Sequence, residues 1–353
     1  MLLNEDAKEF LVDFKYNKND IISKLEGLRN LKVLVIGDAI IDQYIYSTSI
    51  GKSPKDNIIV VKYLGEETFA GGVLAAANHI AGFCDKVDLI TCLGKMDTQE
   101  RFIRKHLKKN ISPTFFYRED APTPVKRRFV EPEKMTKYFG VSFLEDYPLS
   151  EDISNEVCDY LKSIRDYDLV LVTDFGHGFI SNEIISHLGN AIFLAVNTQT
   201  NTDNAGFNLI QKYPPPDYIC LDEPELRLAF QDKHGKIENL VSQLHCEKVA
   251  VTHGQYPTLL YDGSFYKIPV FSNGVKDTTG AGDAFLSITS LCVAKDFPMD
   301  LVGFVGNAVG ALKVQIVCNR SSVEPQDLFR FIEELLKEYV SPSDKTARIG
   351  SQR

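Results

Sequence analysis

The stretch Asp277-Thr278-Thr279-Gly280-Ala281-Gly282-Asp283-Ala284-Phe285 gathers two carboxylates, two hydroxyls and two glycines at the start of an apolar run that reads as a buried helix. A helix N-terminus presents unpaired N–H groups and a partial positive charge, so it attracts anions. Gly280 and Gly282 lack the side chains that would keep a phosphate away from the backbone. Asp283 would repel that phosphate. Its presence makes chemical sense if it accepts the proton of a hydroxyl attacking the phosphorus. A glycine turn with an acidic helix cap fits the same residues.

Other polar groups fall where strands should end. Leu31–Ile36 is a short apolar run emptying into Gly37-Asp38, with Asp42 four residues further on. Open α/β sheets bind ligands at the carboxyl ends of their strands, which makes Asp38 and Asp42 candidates for gripping hydroxyls; Asp38 as a turn cap is the alternative. Asp222-Glu223-Pro224-Glu225 follows another apolar run. Carboxylates there suit a hydrated Mg²⁺, or form an acidic N-cap on the next helix. Lys126, Arg127 and Arg128 are the densest positive charge, and on a strand Lys126 and Arg128 share a side that Arg127 does not. One side could therefore meet a phosphorylated ligand; a solvated face is the other reading. Gly71-Gly72 runs into an alanine-rich helix, where small residues admit either a ligand or close helix packing. Asp174-Phe175-Gly176 follows the apolar strand Asp168–Val172, but no His-Arg-Asp loop accompanies it as in protein kinases.

The elements that must position these groups alternate. Strands are expected near 31–37, 87–94, 168–172, 192–196, 216–221 and 248–252, separated by amphipathic or small-residue helices, which gives a parallel sheet covered on both faces. Residues 43–65 and 113–131 alternate differently and are expected to form a small β-lid. Residues 1–30 read as an N-terminal helical extension and 341–353 as a polar tail. With 353 residues, 44% hydrophobic and 25% charged, the chain can bury a large core. Its net charge of −9 argues against generic nucleic-acid or anionic-membrane binding. The N-terminus has no basic region followed by an apolar stretch, so no signal peptide is expected. No segment approaches the roughly 18 uninterrupted apolar residues of a membrane span. Seven cysteines without a Cys-x-x-Cys pair suggest a reducing compartment. A cytoplasmic location is the expectation.

Together, the late Gly-Ala-Gly-Asp motif and the glycine pair make the chain resemble the ribokinase-like (PfkB) carbohydrate kinases over roughly residues 31–340. The implied fold is a three-layer α/β/α sandwich with a mostly parallel central sheet and a small β-sheet lid. Within that family the chain looks most like the bacterial heptose-phosphate kinases, the kinase domain of the bifunctional heptose kinase/nucleotidyltransferase. Ile36-Gly37-Asp38 with Asp42, Ser53-Pro54, Thr123-Pro124-Val125-Lys126 and Thr173-Asp174 carry that likeness.

The resemblance implies Asp283 as catalytic base, with the N–H groups of Gly280, Ala281 and Gly282 around the phosphoryl group in transfer. Asp38, Asp42, Gly71, Gly72, Lys126, Arg128 and Asp174 would face the substrate. Asn197, Thr252, Gly254 and Asn307 would lie along the nucleotide. Asp222 and Glu225 would organise Mg²⁺ through water, and Asp277 with the 317–322 loop would match a region that holds a monovalent cation, K⁺. Departures are visible. The asparagine expected after the glycine pair falls at Ala75, the metal-motif asparagine is Asp222, an expected Asp-Pro-Lys is Asn197-Thr198-Gln199, and a later glycine is Pro257.

The expected function is ATP-dependent phosphorylation of a sugar or sugar-phosphate hydroxyl, a heptose phosphate among the candidates. A catalytically silent sugar- or nucleotide-binding protein and a nucleoside kinase are the alternatives. Exposed lid strands would allow a homodimer through the lid.

Overall fold

The structure is a computed structural model that describes residues 3–202, 204–272 and 274–339; the tail expected at 341–353 lies outside the described residues. Among the described residues thirteen strands form two sheets: β1 (Lys32–Gly37), β2 (Ala39–Lys52), β3 (Ile59–Gly72), β4 (Lys86–Gly94), β5 (Ile111–Arg118), β6 (Val125–Glu131), β7 (Thr136–Phe143), β8 (Leu169–Asp174), β9 (Leu194–Thr198), β10 (Tyr218–Asp222), β11 (Lys248–Thr252), β12 (Thr258–Tyr261) and β13 (Phe265–Ile268).

The large sheet runs β13-β12-β11-β10-β9-β8-β1-β4-β5. It is parallel from β11 to β5, with the β12–β13 hairpin added antiparallel at one edge. Pleating divides its side chains between two cores. Val33 and Val35 join the core under the helices Val73–Phe83, Ala281–Ala294 and Met299–Lys313. Leu34 and Ile36 join the one under Glu151–Tyr160, Asn182–Leu188 and Glu223–Phe230. This is the three-layer α/β/α arrangement anticipated from the alternating pattern. The sheet order reverses between β1 and β8, where Gly37 pairs with Thr173, so Asp38 and Asp174 lie at the switch point where such sheets take ligands.

The second sheet, β3-β2-β6-β7, forms the lid. β2 and β3 make a long hairpin over the expected 43–65 segment and extend it at both ends. The segment 113–117, expected in the lid, instead belongs to β5, the parallel edge strand of the large sheet. Ile111 and Phe116 carry apolar side chains into the two cores there, and that burial outweighs the polar alternation of the strand. Its lid place is taken by β7, exposed at every position, so it had no inside-outside pattern to reveal it. The N-terminal segment forms helices Glu5–Val12 and Lys18–Glu26, which bury Leu11, Ile21 and Leu25 in the same core as Phe271 and Phe304.

Candidate active site

The carboxyl ends of the central strands and the underside of the lid enclose a cavity of about 760 Å³. Lid residues Asp42, Gly72, Lys126 and Arg128 line one wall. Asp222, Thr252, Gly254 and Asn307 line the other, and Gly280, Ala281, Gly282 and Asp283 lie between them. Residues separated by some 240 positions in sequence thus share one chamber.

The Gly280–Asp283 stretch begins the helix Ala281–Ala294, as expected. Gly280 is its N-cap at φ 78°, in the left-handed region. A Cβ there would lie 2.4 Å from Asn319 Oδ1. The Ala281 N–H turns back to the Thr278 carbonyl, while the first-turn N–H groups of Gly282 and Asp283 have no acceptor among the described residues. No donor among the described residues hydrogen-bonds to the Asp283 carboxylate either. Enclosure pushes its pKa up to about 6, and the Asp42 charge adds to this, while Lys313 and Lys126 pull it down.

On the lid wall Arg128 Nη1 pairs with Asp42 Oδ1. Gly71 makes room for that carboxylate, since a Cβ there would sit 2.2 Å from Asp42 Oδ2. Gly72, at φ 57°, passes so close to the Asp38 carbonyl that a Cβ would meet it at 2.5 Å. Lys126 Nζ donates to Asn201 Oδ1 at 2.9 Å. Arg127 points the other way, to Gln43 and the Phe143 ring, as strand alternation requires.

Two carboxylates expected at the substrate are absent from the cavity lining. Asp38 Oδ2 accepts the Phe175 N–H at 2.9 Å, and burial beside the Asp174 charge raises its pKa. Asp174 is held by Tyr213 Oη and Lys212 Nζ, each at 2.6 Å. Both shape the β8 turn below the cavity. A carboxylate held by a half-buried lysine and a buried phenol is satisfied in place, away from the cavity lining. His177, in the same turn, is buried and held neutral by burial, its pKa lowered to about 3.

On the opposite wall, Asp222 and Glu225 form a capping box. Asp222 Oδ1 accepts the Glu225 N–H, and Glu225 Oε2 accepts the Asp222 N–H, both at 2.8 Å. Glu225 is buried behind Asp222, and burial together with the Asp222 charge raises its pKa. Of the two, Asp222 reaches the cavity, and among the described residues its Oδ2 has no hydrogen-bond partner. Hydrated Mg²⁺ needs few protein ligands beyond the phosphates, so this donor set fits it. Among the described residues no three His, Cys, Asp or Glu side chains cluster as a dedicated metal site.

Asn307 lines the wall, but its amide is committed to Thr258 Oγ1 and the Ile268 and Pro269 carbonyls. Asn197 does not line the cavity; its amide donates to the Cys220 carbonyl, while Gln199 and Asn201 reach the chamber.

Asp277 is buried and its carboxylate is saturated. Oδ1 accepts from the Thr279 N–H and Lys137 Nζ, each at 3.1 Å, and Oδ2 from Tyr44 Oη and the Cys318 N–H, each at 2.8 Å. Burial opposes its ionisation, but these donors outweigh it and lower its pKa to about 2. Beside it lies the fully buried Lys313, whose Nζ donates to the Thr279 carbonyl at 2.7 Å and the Cys318 carbonyl at 2.6 Å. Lys137 and Lys313 were not anticipated. Lys137 rides on the unexpected strand β7; Lys313 is a cation at the end of a helix that is mostly apolar after Asp300, a signal the sequence did contain.

A doubly covered, mostly parallel sheet with a β-lid over a glycine-lined helix N-terminus and one unpaired aspartate defines a ribokinase-like kinase. Residues 30–324 match the pfkB family of carbohydrate kinases, and the chain belongs to that family, whose members are ATP-dependent carbohydrate kinases. It is 24% identical over 272 residues to the bifunctional protein HldE of Nitratiruptor sp., covering 75% of this chain and 57% of that protein. To HldE of Campylobacter jejuni it is 23% identical over 291 residues, covering 80% and 61%. The matched region thus spans about three-fifths of those relatives' length.

Similar solved structures include the ribokinase of Arabidopsis thaliana complexed with ribose and ATP, at 17% identity and TM-score 0.63, covering 86% of this chain and 99% of that one. Phosphofructokinase-2 of Escherichia coli in complex with potassium is another, at 15% identity and TM-score 0.67, with the same coverage. These likenesses establish the fold. Among the described residues, no helix is long and apolar enough to cross a membrane.

Proposed function

We propose that the chain transfers the γ-phosphoryl group of ATP to a hydroxyl of a sugar or sugar phosphate, with Asp283 as general base. The observation that carries this reading is the Asp283 carboxylate, unengaged in the cavity and adjacent to the unpaired N–H groups of the first helical turn. The acceptor hydroxyl gives its proton to Asp283 as its oxygen forms the new bond to phosphorus. The bond from phosphorus to the bridging oxygen breaks, and ADP leaves with the electron pair. N–H groups of the Gly280–Asp283 turn stabilise charge on the phosphoryl oxygens. Asp222, with Glu225 fixing its orientation, would hold Mg²⁺ through water; bound Mg²⁺ neutralises charge on the phosphates. Thr252, Gly254 and the Asn307 wall flank the nucleotide.

Asp42, Gly72, Lys126 and Arg128 form the acceptor side, and their two cations favour an acceptor that is already phosphorylated. Ala75 and the Asn197–Gln199 turn depart from the heptose-phosphate pattern, so a heptose phosphate is one candidate among several. The apolar side chains exposed on the lid, Ile59, Leu64 and Phe139 among them, support a homodimer through that sheet. A monovalent cation beside Asp277 is not supported by the donor set: four donors saturate the Asp277 carboxylate, and Lys313 occupies the Thr279 and Cys318 carbonyls.

Purified protein with Mg-ATP and a panel of hexoses, heptoses, their phosphates and nucleosides, assayed for ADP release, tests the reading. Release with a sugar or sugar phosphate supports it. Release only with nucleosides would move the chain to nucleoside kinases, and ligand binding without any release would favour a silent protein.

A further inference from the structure

Lys313 is fully buried, yet among the described residues no carboxylate hydrogen-bonds its ammonium. Instead it bridges two backbone carbonyls from different segments: Thr279, on the approach to the phosphate-binding turn, and Cys318, five residues beyond Lys313 itself. Burying an ammonium is costly unless its surroundings repay it, so the partners of Lys313 matter. The Cys318 carbonyl lies in the loop just after the helix Met299–Lys313, so a local contact accounts for that bond but not for the reach across to Thr279. Gly280 passes directly over the side chain, since a Cβ there would lie 3.3 Å from Lys313 Cε.

Two convergent carbonyls beside a buried carboxylate make an oxygen-lined position that needs a compact positive charge. A potassium ion can supply it, and so can an ammonium of similar size. We propose that Lys313 is a built-in cation, covalently replacing a dissociable monovalent cation at this position and holding the Thr279–Gly280 backbone in its phosphate-binding conformation. Lys313 is therefore a positioning residue, and the chain needs no potassium. The consequence for catalysis rests on the kinase reading above; occupancy of the position by Lys313 does not.

The test compares thermal unfolding of the full chain in potassium chloride and in tetramethylammonium chloride at equal ionic strength, about 0.15 M. The wild-type midpoint should agree between the two salts to within about 1 °C, because no cation is bound. A saturable rise with potassium in the wild type would overturn the proposal. Lys313→Met should unfold earlier in tetramethylammonium and recover part of the loss with potassium but not lithium. If that variant folds and keeps wild-type stability in tetramethylammonium alone, the proposal also fails. Should it not fold, the wild-type comparison still decides.

These readouts need no acceptor, so absence of ADP release with every sugar would count against the kinase reading and leave this one standing. Where turnover is measurable, Lys313→Met should also move the acid limb of the pH profile upward, since it removes a charge that favours ionised Asp283. That shift reports the charge beside Asp283; the readout that a merely structural lysine would not give is the potassium-specific recovery.

Discussion

Arg128 Nη1 pairs with Asp42 Oδ1 on the cavity wall, and Gly71 is without a side chain where that carboxylate sits. Asp42 is almost fully buried, and Arg128 keeps about a quarter of its side chain exposed, 26%. The guanidinium can therefore neutralise Asp42 and still offer donors to an incoming anion.

Removing Arg128 should have two separable effects. Arg128→Ala leaves a buried carboxylate without its cation and should lower unfolding free energy by about 3 kcal/mol, measured by denaturant titration. With a phosphorylated acceptor, KM should rise at least about tenfold while kcat changes less, because the lost contact acts on binding. An unchanged KM would remove Arg128 from the acceptor site.

Gly280→Ala tests the geometry of the turn. An L-residue at φ 78° costs roughly 1–2 kcal/mol, and its Cβ would also press on Asn319. Unfolding should show at least that loss. Turnover should fall further than stability explains, since the displaced backbone carries the phosphate-binding N–H groups.

The pH dependence follows from Asp283. Its pKa is raised from 3.8 to about 6, and a general base works only when ionised. Activity should therefore be lost as pH falls through about 6. The folded state also binds this proton more tightly than the unfolded chain, so the group favours folding below about 4 and loses that contribution as pH rises toward 6. Stability measured from pH 4 to 7 should carry this downward component in the wild type and lack it in Asp283→Asn.

How much was legible in the sequence depended on whether the signal was local. Gly280–Asp283 was readable because the glycines, the aspartate and the following apolar helix are contiguous. The parallel strands were readable as short apolar runs. Placement of 113–117 was not, since its alternation suits either an edge strand or a lid, and pairing with β4 decides between them. Asp38 and Asp174 were placed at the strand ends where they belong. What the sequence hid is that Phe175, Lys212 and Tyr213 come back in space to satisfy them. Lys137 was hidden for the same reason, since Asp277 lies far away along the chain; Lys313 left a visible trace as a cation ending a mostly apolar helix, but its Thr279 partner did not. The acidic N-cap at Asp222, by contrast, was among the readings that four adjacent residues allowed, and the structure completes it as a capping box with Glu225.

The central claim, that Asp283 takes the acceptor proton, is tested most directly by steady-state ADP release from Asp283→Asn. With whichever sugar or sugar phosphate the wild type uses, kcat should fall by about 10²–10⁴ with little change in acceptor affinity. Turnover within a few-fold of wild type would contradict it.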